Sequence, residues 1–435
     1  MLAYEIQPGG ALTGEAQVPG DKSISHRSVL LGAIAEGTTE VRGFLEGEDT
    51  RATAAAMRAM GVTIEADGAG NMHIEGRGLR GLQAPAHALD LGNSGTGMRL
   101  LTGVLAGQAF ASTVIGDESL MARPMRRIQQ PLAQMGARVA TTDDGTPPLN
   151  VTPAKALHGI NYDMPVASAQ VKSCLLLAGL YAEGTTQVTE PGPCRDHTER
   201  MLAGFGYPVE RDGATVRIEG GGQLRGQTVV VPSDVSSAAF FMVGASIAPG
   251  SDLRLTNVGV NSTRDGVIHI LKAMGADIEL SNERTAGGEP VADVRVRASR
   301  LTGIEVPEEL VPNAIDEFPA IFVAAACAEG ETVLRGAEEL RVKETDRIAA
   351  MAEGLQALGA VVEPTPDGMR VQGGLLHGGT VQSFGDHRIA MALTMAGLVS
   401  SGPVTVRDCA NVQTSFPGFA ALAASTGLRI SEVSG

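Results

Sequence analysis

The sequence predicts an α/β protein of two domains, each assembled from three copies of one β-α-β-α-β-β unit. Three observations lead there. First, a glycine ends an apolar-rich helical stretch and precedes a short strand at Gly61, Gly136, Gly206, Gly275, Gly359 and Gly427, between 68 and 84 residues apart. A glycine there suits a left-handed helix C-cap. Second, the order of elements between these glycines repeats. Third, 435 residues are too many for one ordinary core, so six units divide into two sets of three.

Each unit opens on a helix with a polar start and an apolar body. These leading helices are expected at Ser25–Glu36, Thr96–Gly107, Ala169–Glu183, Ser236–Ala248, Glu317–Glu329 and His387–Ser400. In the first, Ser23 or Ser25 is a suitable cap. A strand rich in Thr and Val follows, such as T-T-E-V-R-G or T-T-Q-V-T-E. A second helix then ends at the recurrent glycine. Strands of alternating character close the unit, as at Val62–Glu65 and Val216–Glu219. Val18-Pro19-Gly20-Asp21 and Val231-Pro232-Ser233-Asp234 resemble each other, and each precedes a serine-rich helix start. They are the expected crossings between domains. One domain is then 21–232, and the other joins 1–20 to 233–435. Hinges fall near 18–22 and 231–235.

The chain carries 34 Lys and Arg against 49 Asp and Glu, a formal charge of −15. That argues against nucleic-acid or anionic-membrane binding, and it makes any local cluster of cations stand out. Aromatic residues are 3% and Trp is absent, so no aromatic binding platform is expected. Cys174, Cys194, Cys327 and Cys409 lack paired zinc spacing and fit reduced thiols of a cytoplasmic protein. The N-terminus has no basic stretch leading into an apolar run, so no signal peptide is expected. The apolar runs are too short to span a bilayer.

Cations gather at helix starts. Val18–Arg27 reads V-P-G-D-K-S-I-S-H-R, with Lys22 and Arg27 flanking a helix N-terminus. Such an end favours an anion, although a solvated, capped helix start has the same appearance. Leu91–Leu101 reads L-G-N-S-G-T-G-M-R-L-L, where small residues let a ligand approach backbone N–H groups. No Gly-Lys-Ser/Thr follows, so it is not a Walker-type loop. Arg123-Pro124 precedes a second helix, where a cation opposes the helix dipole unless an anion joins it. Ser168 and Gln170 offer hydrogen bonds, and Arg195-Asp196-His197-Thr198-Glu199 follows. His197 lacks a second ligand at metal spacing, which favours a surface or capping histidine. In R-V-K-E-T-D-R, Lys343 and Arg347 stand four apart, as on one helix face, with Glu344 beside them. Asp316 opens the preceding helix, and Arg388 stands in G-D-H-R. A cleft between domains lined by Lys22, Arg27, Arg123, Arg195, Lys343, Arg347 and Arg388 would suit small, strongly anionic substrates.

The combination of G-D-K-S-I-S-H-R, L-G-N-S-G-T-G-M-R, R-P-M, S-A-Q-V-K-S, R-V-K-E-T-D-R and G-D-H-R-I-A-M resembles the EPSP synthase family across nearly the whole chain. Arg195-x-His197-x-Glu199, and Asn257 followed by Thr263-Arg264, are similar to the second of the family's two sequence classes. The resemblance implies an inside-out α/β barrel in each domain and closure on substrate. It also implies transfer of the enolpyruvyl group of phosphoenolpyruvate to the 5-hydroxyl of shikimate 3-phosphate, with release of phosphate. No cofactor or metal is implied. The expected protein is a cytoplasmic monomer whose partners are these two small molecules.

By the same resemblance, Lys22, Ser23, Arg27, Ser168, Ala169, Gln170, Arg195, Asp316 and Lys343 would meet shikimate 3-phosphate. Lys22, Asn93, Gly95, Thr96, Arg123, Gln170, Arg347 and Arg388 would meet phosphoenolpyruvate. Asp316 and Glu344, with Lys22, would be catalytic. Asp316 would take the hydroxyl proton and Glu344 would exchange one with the methylene carbon. Ala169 replaces a serine of the other class, and Arg195 is the candidate to supply the missing contact. Thr414 stands where many relatives carry Lys. Gly95 matches the form usually inhibited by glyphosate. The related enolpyruvyl transferase acting on a UDP-amino sugar usually has a Cys before A-R-P, but Gly116–Pro124 has none. A non-catalytic anion-binding protein is the remaining alternative.

Overall fold

Six sheets follow one plan in the computed structural model, which describes residues 2–434. In the first repeat the strand order is Thr228–Val230, Thr38–Arg42, Asn71–Glu75, Thr63–Ala66. The first pair is parallel and the rest are antiparallel. The second, third, fourth and sixth repeats match this order. In the fifth, a three-stranded sheet is extended only by isolated parallel bridges at Thr302 and Glu305.

Backbone contacts divide the chain into two units. One is Gly20–Val231 with Ala286–Gly288. The other is the chain up to Pro19, Pro232–Thr285 and the chain from Glu289 onward. The N-terminal segment completes two repeats of the second unit. Leu2–Ile6 lies between Val404–Arg407 and Ile430–Ser434, and Thr13–Ala16 pairs in parallel with Asp252–Gly259.

The leading helices are Lys22–Ile34, Gly95–Ala106, Ala169–Gly179, Val235–Ile247, Phe318–Ala326 and His387–Ala396. The first is buried continuously from Ile24 to Ile34, as befits a helix with no solvent face. Within each unit, leading helices pack on one another, which puts helices inside and sheets outside. Asp21, Ser94, Ser168, Asp234 and Asp386 cap five of them through side-chain oxygens. Asp21 therefore takes the capping place expected of Ser23 or Ser25, and the helix begins earlier. Ser25 instead accepts from the Leu45 N–H at 3.0 Å. The helices expected to reach Glu36, Glu183 and Glu329 stop sooner. Each chain must turn into its strand through Gly37, Gly184 or Gly330, all at positive φ.

The six recurrent glycines all have positive φ. A further set explains how closely layers approach. A Cβ on Gly76, Gly220 or Gly373 would overlap the carbonyl oxygen of Ala35, Ala182 or Ala328, just past a leading helix.

The helix expected to open at Arg341 does not. Glu338–Val342 is a 3-10 turn, and the helix is Arg347–Ala357, capped by Asp346. Lys343 and Glu344 precede that cap, so Lys343 and Arg347 do not share a helix face.

Candidate active site

In each unit the starts of the leading helices converge. In the Gly20–Val231 unit, His26 lies between Thr53 and Ser94, at 2.8 and 3.2 Å. Gln170 donates to Thr96 at 2.9 Å and accepts from Arg99 at 2.6 Å. Arg27 is buried and donates to Thr198 at 2.7 Å, to Ser173 at 2.9 Å and to the Ser23 carbonyl at 2.9 Å. One guanidinium thus joins two leading helices to the helix His197–Gly204. Helix dipoles and cations together give this end a strong preference for anions.

Lys22 pairs with Asp49. Arg123 is held by Asn93, through the side-chain oxygen at 2.8 Å and the backbone oxygen at 3.3 Å. Asn93 in turn donates to Asp117 at 2.8 Å. Arg123 lies just ahead of the helix Arg126–Gln134, as its place before Pro124 suggested. A Cβ on Gly95 would come within 3.0 Å of Arg99 and 3.1 Å of Arg123. Ser168 caps its helix, with half-buried Ala169 and Gln170 following. Arg195 is half-buried just ahead of His197–Gly204. His197 is buried at the start of that helix rather than on the surface.

In the other unit, Arg347 is the centre, at 1% exposure. Its Nε donates to Asp386 at 2.8 Å, NH2 to Glu344 at 2.6 Å and NH1 to Asp316 at 3.3 Å. Burial acts to lower its pKa, but Asp386, Glu344 and Asp316 overcome this and hold it above the ordinary arginine value. Lys343 lies 3.6 Å from Asp316 and 2.9 Å from Glu339. Arg388 donates to the Asp316 carbonyl at 3.0 Å. Glu317, with no exposure, accepts from Ser236 and lies 3.9 Å from both Arg264 and Arg388. Thr414 is buried, its hydroxyl donating to the Asn411 carbonyl at 2.7 Å.

The expected residues therefore form two clusters, one in each unit. Lys22, Ser23, Arg27, Asn93, Gly95, Thr96, Arg123, Ser168, Ala169, Gln170 and Arg195 belong to the first unit. Asp316, Lys343, Glu344, Arg347 and Arg388 belong to the second. Sequence reasoning assigned no role to several groups that hold these side chains: Asp49, Asp117, Thr198, Asp386 and Glu317. An acid opening an apolar helix looks like an ordinary cap, so nothing in the sequence distinguishes Glu317. Lys172 did leave a signal, as a lone charge in an apolar helix. Among the described residues, no group of three or more His, Cys, Asp or Glu could hold a metal ion.

Over nearly its whole length the chain is similar to known proteins. The model of the family EPSP synthase (3-phosphoshikimate 1-carboxyvinyltransferase) matches residues 6–422. The 3-phosphoshikimate 1-carboxyvinyltransferase of Nitrosococcus oceani is 63% identical over 99% of this chain and 97% of its own. That of Methylococcus capsulatus is 64% identical over 99% and 98%. An EPSP synthase structure from Acinetobacter baumannii superposes with a TM-score of 0.91 at 56% identity, covering both chains completely.

Proposed function

The chain belongs to the EPSP synthase family, and from that premise we propose which side chains carry its reaction. The enzyme transfers the enolpyruvyl group of phosphoenolpyruvate to the 5-hydroxyl of shikimate 3-phosphate and releases phosphate. The observation that carries the residue assignment is Arg347, which holds Glu344 and Asp316 beside Lys343 and Arg388. Two carboxylates for proton transfer thus stand among cations able to bind phosphate and carboxylate groups.

In the addition step, the hydroxyl oxygen attacks C2 of phosphoenolpyruvate. Asp316 takes the hydroxyl proton, with Lys343 near that hydroxyl, and Glu344 protonates the methylene carbon. A tetrahedral intermediate results. In elimination, Glu344 removes a proton from the new methyl group as the C2–O bond to phosphate breaks, and the proton held by Asp316 passes to the released phosphate, which restores both carboxyl groups. Arg347, Arg388, Arg123 and Lys22 answer the charge of phosphoenolpyruvate and of the departing phosphate. Asn93, Gly95, Thr96 and Gln170 border the same ligand. Ser23, Arg27, Ser168, Ala169, Gln170 and Arg195 meet shikimate 3-phosphate. The UDP-amino-sugar reading is not favoured, because the relatives at 57–64% identity are all named for the shikimate reaction. No helix among the described residues is long and apolar enough to cross a membrane. A monomer acting in the cytoplasm completes the proposal.

The test is phosphate release from phosphoenolpyruvate. Release is expected only when shikimate 3-phosphate is added. Release without it, or release supported equally by a UDP-amino sugar, would overturn the reading.

A further inference from the structure

We propose that Lys172 is a positioning residue that staples both ends of the segment Glu190–Glu199, and so places Arg195 for the phosphate of shikimate 3-phosphate. The proposal rests on reading Arg195 as a phosphate ligand. Lys172 lies on the leading helix Ala169–Gly179 and has no exposure. Its Nζ pairs with Glu190, just past the strand Thr185–Thr189, and with Glu199 at 2.5 Å, in the first turn of His197–Gly204. Arg211 reaches the same two carboxylates at 2.8 and 3.4 Å. Two cations therefore balance two anions, and the chain between the glutamates carries Arg195.

Adjacent residues transmit this order to Arg27. Ser173 follows Lys172 and Thr198 precedes Glu199. Their hydroxyls bond each other at 2.7 Å, and each accepts from the Arg27 guanidinium. The ammonium thus sets the register of two helices where both meet Arg27. An apolar side chain would fill this buried place without the desolvation cost of a charge. The expense is explained if the charge specifies position rather than packing.

Titration calorimetry with shikimate 3-phosphate and with shikimate, which lacks the phosphate, tests this. Glu199→Gln should weaken shikimate 3-phosphate about tenfold while shikimate binding stays within about twofold. KM for shikimate 3-phosphate should rise while kcat and KM for phosphoenolpyruvate move less than about threefold. Lys172→Met/Glu199→Gln removes both charges together and should act in the same direction, should the single variant fold poorly. Arg195→Ala is the control: if it binds shikimate 3-phosphate normally, the phosphate-ligand reading itself fails. If Arg195→Ala weakens that ligand but the staple variants bind both ligands as wild type does, or lose both equally, the staple is overturned.

Discussion

Arg347 illustrates how one residue can organise a site. Its three donor nitrogens meet Asp316, Glu344 and Asp386, so its burial is compensated and its neighbours are fixed. Glu344→Gln keeps the shape but loses the proton. We expect kcat to fall about 10²- to 10⁴-fold, with both ligands still bound in equilibrium titrations. Gly95→Ala would press a methyl group against Arg99 and Arg123. We expect a several-fold higher KM for phosphoenolpyruvate, on the order of one kcal/mol of lost binding, and a larger rise in the glyphosate inhibition constant. Inhibition assays on the two proteins side by side would check this. His26 concerns stability instead. Burial first, then the charges of Lys22 and Arg27, push its pKa well below the ordinary value, against the opposing pull of Asp21. The unfolded chain binds this proton near pH 6.5 and the folded one does not. The contribution is therefore complete above about pH 6.5 and declines as pH falls, by about 1.4 kcal/mol per unit. His26→Asn should flatten the slope of urea-derived stability between pH 6.5 and 5.5, although it also loses native bonds.

At the level of elements, capping chemistry decides where site residues stand. Asp346 starts its helix at Arg347, which leaves Lys343 and Glu344 on an irregular segment directed by Asp316 and Arg347. Charge spacing in R-V-K-E-T-D-R suggested a helix because Lys343 and Arg347 are four apart. The Asp three residues before Ala349 was the competing signal, and its bond to the Ala349 N–H at 3.0 Å prevailed. Glycines set how closely elements pack. Gly373 has no room for a methyl group beside the Ala328 carbonyl. Gly373→Ala should therefore cost about 1–3 kcal/mol, read from the urea midpoint at unchanged slope.

On the scale of the whole molecule, chain connectivity is permuted relative to the repeats. The first repeat takes its opening strand from Thr228–Val230, and the sixth takes one from Leu2–Ile6. Gly20–Val231 owns a continuous hydrophobic core with all three of its sheets. Expressed alone, it should unfold cooperatively in urea. Removing residues 1–19 should leave that segment folded but abolish the second folded unit, because two of its sheets each lose a strand. Circular dichroism with limited proteolysis would distinguish the two outcomes.

By itself the sequence determined the sixfold repeat, the positive-φ glycines, the buried leading helices and most residues at their starts. These are local facts: a turn needs a left-handed residue, a helix start needs an acceptor, and a buried helix must be apolar. Tertiary structure alone decided which partners those residues have. Glu317, Thr198 and Glu190 come from other elements, and nothing in their spacing announces that they meet Ser236, Arg27 and Lys172, or that Arg211 meets Glu190. A buried charge is stable only beside its counter-charge. That pairing depends on how layers stack, not on the order in which residues are joined.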